Sequence, residues 1–131
     1  MMPQIKSNAA AAAPFEQDVS EERPIDLVHL ARYTMDDRDL EREVLNLFRK
    51  QSVLYLDRLR KAESAADWSE AAHTLKGSAR GIGAWAVARA AQAAEMLDGP
   101  VKARSSDNAV HELAECIFQA NEFIHRVVAE G

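Results

Sequence analysis

Cysteine is almost absent from this 131-residue chain. Cys116 stands alone, so no internal disulfide can form, and the chain fits a reducing compartment. Excess positive charge is missing too. Sixteen Lys and Arg against 21 Asp and Glu leave a net charge of -5, which argues against nucleic acid as a partner, since nucleic acid selects for basic faces. No apolar run approaches the roughly 20 residues a membrane span needs. The start, Met1-Met2-Pro3-Gln4-Ile5-Lys6 followed by five alanines at 9–13, lacks the continuous apolar stretch of a signal peptide. The expectation is a cytoplasmic protein engaging neither nucleic acid nor membrane. Proline is missing between Pro24 and Pro100, and no segment alternates with period two over more than a few residues. Both absences exclude sheet and favour long helices.

Residues 1–23 read as a flexible tail, rich in alanine, glutamine and acidic groups and poor in large apolar ones. Residues 24–131 read as one domain, within the length a single core can serve. Asp26 can cap a short helix carrying Leu27, Val28 and Leu30. A longer helix is expected from Asp36-Asp37 to about Glu63, with Leu40, Val44, Leu47, Phe48, Leu54 and Leu59 turned inward. Ser64 or Asp67 caps a third helix that stops near Gly81-Ile82-Gly83. Trp85 to Asp98 forms an alanine-rich fourth, closed by Gly99-Pro100. After a polar loop over 102–106, Asp107 starts the last, with Val110, Leu113, Ile117, Ala120 or Asn121, Ile124 and Val128 inward. The fold class is all-α: an antiparallel four-helix bundle with a short additional N-terminal helix.

The third helix carries the most informative residues. Trp68, Ala72, Leu75, Ala79 and Ile82 recur at spacings of 4, 3, 4 and 3 and form a core stripe. His73, Lys76, Gly77 and Arg80 run beside it, rotated by about 100°. The histidine therefore stands at the core edge and faces solvent. A mid-helix glycine costs roughly 0.5–1 kcal/mol against alanine, and Gly77 beside a histidine leaves that imidazole open. From His73 to Ala94 the charged residues are Lys76, Arg80 and Arg89, with no acid among them. A positive window on an acidic chain suits a bound anion. A nucleophilic imidazole, nearby cations and a missing side chain are what a transferable phosphoryl group requires.

His73-Thr74-Leu75-Lys76-Gly77-Ser78, preceded by Ala71-Ala72 and followed by Gly83-Ala84, resembles the signature of histidine-containing phosphotransfer (HPt) domains. The specific part covers about residues 71–95 and the layout about 25–130. The resemblance implies His73 as phosphoacceptor, Lys76 as the cation stabilising the phosphoryl group, and Gly77 as the small residue keeping the site open. It also implies a glutamine on the following helix near the histidine, for which Gln92 and Glu95 are the candidates; Glu95 in that place departs from the common pattern. Arg80 fits by spacing. The implied protein is a monomeric phosphocarrier with no kinase activity of its own. Its partners are receiver domains of response regulators or of a hybrid histidine kinase, which supply the aspartate and Mg²⁺. Docking centres on the exposed face of the motif helix, with Leu30 and Met35 as apolar contacts.

Rival readings differ in testable placements. A sensor-kinase helix generally has an acid after its histidine, where this chain has Thr74, and Gly77-x-x-x-Gly81-x-Gly83 lacks the Lys-Ser/Thr of a P-loop. A carboxylate-bridged dimetal bundle would use Glu70-x-x-His73 and Glu122-x-x-His125 with Glu43 and Glu95, all projecting inward. A non-catalytic helical adaptor would leave Trp68 and Trp85 as core and His73 as an ordinary surface residue. His29, His111 and His125 read as surface or helix-end residues, and Cys116 as a small core residue.

Overall fold

The computed structural model describes residues 23–97 and 104–130, and every regular element among them is helical. The expected tail at 1–23, apart from Arg23, and the expected helix stop at Gly99-Pro100 lie outside the described residues. Five helices follow one another: α1 Leu27–Tyr33, α2 Arg38–Lys61, α3 Ala65–Ile82, α4 Trp85–Glu95 and α5 Arg104–Glu130. In space α3 packs on α2 and α4, while α5 packs on α4 and α2. The four long helices thereby enclose one core, and α1 lies against α3.

Local chemistry sets each boundary. The Asp26, Asp37 and Ser64 side chains accept from the amides of His29, Leu40 and Asp67, at 3.0–3.1 Å, at the starts of α1, α2 and α3. Each satisfies an orphan donor of a first turn. α3 ends where Gly83 adopts φ +81°. The Ala84 amide reaches back to the Ala79 carbonyl (2.8 Å) and that of Gly83 to Arg80 (3.3 Å), the paired bonds of a Schellman stop. α4 closes three residues before Asp98, because the Leu97 amide tightens onto Ala94 (3.2 Å). α5 begins three residues before Asp107, whose carboxylate sits in the first turn, where it meets the helix dipole as well as a cap would.

The core departs from the sequence expectation on α2. Leu47 and Leu54 are exposed, and the buried stripe is Leu45, Phe48, Ser52, Leu56 and Leu59. Leucines occupy several faces of this helix, so periodicity alone does not choose the inward one; packing between α3 and α5 does. Ser52 is tolerated inside because its hydroxyl donates to Arg49 O (3.3 Å) and accepts from Asn121 Nδ2 (3.3 Å). On α3 the buried set is Trp68, Ala71, Ala72, Leu75, Ala79 and Ile82. On α5 Leu113, Ile117, Ala120 and Ile124 are buried, with Val110 and Val128 packed beside them. Alanine at 88, 91 and 94 lets α4 approach α3 so closely that the Trp68 indole donates to Ala94 O at 2.7 Å.

Candidate functional site

His73, Lys76 and Glu95 meet on the surface formed by α3 and α4. The His73 side chain is 69% exposed, and its Nδ1 lies 3.1 Å from Glu95 Oε2. Lys76, one turn on, is only 14% exposed, and its Nζ lies 2.7 Å from Glu95 Oε1. One carboxylate, itself 22% exposed, thus bridges the imidazole and the ammonium. The Lys76 ammonium beside it, ahead of the His73 contact, holds Glu95 below the usual carboxylate range. An ionised carboxylate only accepts hydrogen bonds, so Nδ1 must be the protonated ring nitrogen. In the neutral ring that leaves the lone pair on Nε2.

Gly77 lies one turn past His73, and a Cβ built there meets nothing within 4 Å. Arg80 is exposed, about 10 Å from His73 along the helix axis. Gln92 turns to the end of its own helix, its Nε2 3.6 Å from Met96 Sδ. Of the two candidates on α4, Glu95 is the one on the ring. The acid-free window is correct in sequence, but the next residue after it closes back on Lys76, so the site is a balanced charge pair rather than a bare positive face.

Other expectations are redistributed. Leu30 is 1% exposed and belongs to the core, so it cannot contact a partner, whereas Met35 is 84% exposed. Met35 and Asp36 both take left-handed backbone (φ 54° and 63°), a conformation costing a non-glycine residue about 1–2 kcal/mol. Glu43, Glu70, Glu122 and His125 are all exposed, which removes the inward projection the dimetal reading required. Among the described residues no group of three or more His, Cys, Asp or Glu could hold a metal ion. His111 is exposed. His29 meets Trp85 edge-on, with ring centroids 4.9 Å apart. Cys116 is half-buried, and burial pushes its thiol up.

One element of the site's support went unread in the sequence. Asp26 caps α1, accepts from the Trp85 indole at 3.0 Å, and donates its amide to Gly83 O at 2.9 Å. It ties α1 to the turn that sets α4 against α3. Trp85 following Gly83-Ala84 was the available signal, since a half-buried indole needs an acceptor.

The family model for the Hpt domain matches residues 43–129, well over half of the 131-residue chain. The chain belongs to the Hpt family. It is similar to the crystal structure of the histidine phosphotransferase ShpA from Caulobacter crescentus, with a TM-score of 0.61 and 25% identity, covering 82% of this chain and 92% of that one. A comparison with curated proteins returned no match. The function of this Hpt chain is histidine phosphotransfer in a phosphorelay, and Hpt domains work against receiver domains. Among the described residues no helix is long and apolar enough to cross a membrane.

Proposed function

We propose that His73 is the phosphoacceptor, using Nε2, and that the chain shuttles the phosphoryl group between receiver-domain aspartates without kinase activity of its own. The observation that supports this is the Glu95 contact at Nδ1 of an exposed side chain, which in the neutral ring leaves the lone pair on the other nitrogen. Nε2 attacks the phosphorus of a receiver's aspartyl phosphate. The P–O bond breaks, and its electron pair stays on the departing aspartate. Lys76 lies one turn away to offset phosphoryl charge, and Gly77 leaves the approach open. Such transfers depend mainly on positioning and charge stabilisation. The aspartate and Mg²⁺ come with the receiver.

Arg80 assists at longer reach, and Gln92 shapes the rim through Met96. The receiver docks on the exposed faces of α3 and α4, with Met96, Tyr33 and Met35, all exposed, as its apolar contacts. Met35 supports this reading: an exposed methionine held in left-handed backbone costs stability that internal packing does not return. The domain is an antiparallel bundle over 24–131, acting as a cytoplasmic monomer whose contacts with either an independent or a hybrid-kinase receiver are small and transient.

The test is phosphoryl acceptance by His73→Gln from a phosphorylated receiver. The variant should keep native helicity and melting, since the side chain is exposed, and accept nothing. Label on the variant would overturn the assignment, and label at His29, His111 or His125 would move it.

A further inference from the structure

We propose that Glu95 keeps the proton on Nδ1 of His73 in the phosphorylated state as well, making this phosphohistidine a short-lived, strong donor rather than a store. The inference rests on the carrier reading above and adds what happens after the phosphoryl group arrives.

When Nε2 bonds phosphorus, the ring that carried one proton on Nδ1 still carries it and becomes a phosphorylated imidazolium. Nothing has to leave. The Glu95 carboxylate, 3.1 Å away, is an acceptor and an opposite charge for that cation, and opposite charges within about 4–6 Å move a titration by 1–3 units toward the charged form. For the onward step the P–N bond breaks as a receiver carboxylate oxygen bonds phosphorus. The bonding pair returns to Nε2, and the departing group is neutral imidazole with Nδ1–H still on Glu95. A deprotonated ring would have to leave as imidazolate, a far poorer leaving group. An amide at position 95 could donate to an unprotonated Nδ1 as readily as accept from a protonated one, and would not enforce the reactive form.

Lys76 acts in the same direction. Its ammonium is already held by Glu95 Oε1 at 2.7 Å, so a phosphoryl group on Nε2 must share that cation with a carboxylate. The charged groups that face Glu95 are Lys76 and His73, both of α3. Glu70 and Arg80 on α3 and Arg89 on α4 are exposed. Glu95 is thus a positioning residue that acts through the ring.

The experiment loads the full chain with a small-molecule phosphoramidate, which needs no receiver, and follows phosphohistidine decay by ³¹P NMR from pH 5.5 to 9. The wild type should stay labile into the alkaline range. Glu95→Gln should show its fall in decay rate at least about one pH unit lower, giving up to about tenfold longer lifetime above that step. Glu95→Asp should lie nearer the wild type. Superimposable profiles for wild type and Glu95→Gln would overturn the inference. A second readout needs no variant: the ¹⁵N shift of Nδ1 in the phosphorylated wild type at pH 8 should be that of a protonated nitrogen, and an unprotonated value would overturn it equally. Failure of His73 to take up phosphoryl at all would instead overturn the carrier reading.

Discussion

Gly77→Ala separates what the fold needs from what the partner needs. A methyl group at position 77 meets nothing within 4 Å, and the position lies inside α3 with ordinary helical backbone. The substitution should therefore return only the intrinsic helix term, a gain of about 0.5–1 kcal/mol. For a domain of this size that corresponds to a rise of about 2–4 °C in melting temperature. The protein forgoes this stability, and no internal contact explains why. On the proposed carrier reading, an approaching receiver does. Gly77→Gln should remain folded and near wild-type stability, yet slow transfer from a phosphorylated receiver by about tenfold or more, equivalent to losing about 1.4 kcal/mol of docking or transition-state contact. Thermal denaturation and rapid-quench transfer kinetics measure the two effects independently. A lower melting temperature for Gly77→Ala, or unchanged transfer in Gly77→Gln, would refute the account.

Gly83→Ala should cost about 2–3 kcal/mol in denaturant titration: φ +81° disfavours any side chain, and the new Cβ would stand 2.9 Å from Asp26 Cβ and 3.0 Å from Asp26 O. A loss under about 0.5 kcal/mol would contradict that packing. Met35→Gly should gain about 1 kcal/mol by relieving left-handed strain while weakening receiver affinity in titration calorimetry; unchanged affinity would remove Met35 from the docking surface. Acid melts test the carboxylates. Glu95 is held below its ordinary 4.5 chiefly by Lys76, and Asp26 below its ordinary 3.8, burial opposing but the Trp85 and His29 bonds outweighing it. Groups depressed in the fold stabilise it above their unfolded pKa and lose that contribution as pH falls through the folded value. Stability should therefore hold down to about pH 4.5 and drop below it, less steeply in Glu95→Gln.

Much of this was legible before any geometry. The helix starts were legible at Asp26, near Asp36-Asp37 and at Ser64 or Asp67, and the α3 stop near Gly81-Ile82-Gly83, because caps, dipoles and glycine stops are local effects within one turn; which of the alternatives serves, Asp37, Ser64 and Gly83, the structure decides. The stripe on α3 was legible because its apolar residues occupy one face. On α2 they occupy several, and which leucines go inward depends on the tilt against α3 and α5, which spacing does not encode. Leu30 was misplaced for a related reason. A seven-residue helix offers too little periodicity to tell an apolar contact for a partner from an anchor for the core. The shared helical placement of His73, Lys76 and Gly77 was legible because residues three and four apart lie on one face. Glu95 was left level with Gln92, since the choice turns on how α4 is phased against α3.

That phasing follows from the turn. Gly83 ends α3 in a left-handed residue, and α4 resumes at Trp85, so the two helices return along each other with almost no slack. His73 lies ten residues before the glycine and Glu95 twelve after, about 15 and 18 Å along the axes at 1.5 Å per residue. They are therefore level, and small alanines at 91 and 94 let the helices close until the carboxylate reaches both Nδ1 and Nζ. Asp26 clamps the same turn from outside through Gly83 O and the Trp85 indole. The glycine, the aspartate and the alanines lie outside the His73–Lys76–Glu95 cluster, yet the 3.1 Å contact between the His73 ring and Glu95 depends on all of them. A residue's distance from the histidine in sequence is thus a poor guide to its influence on it.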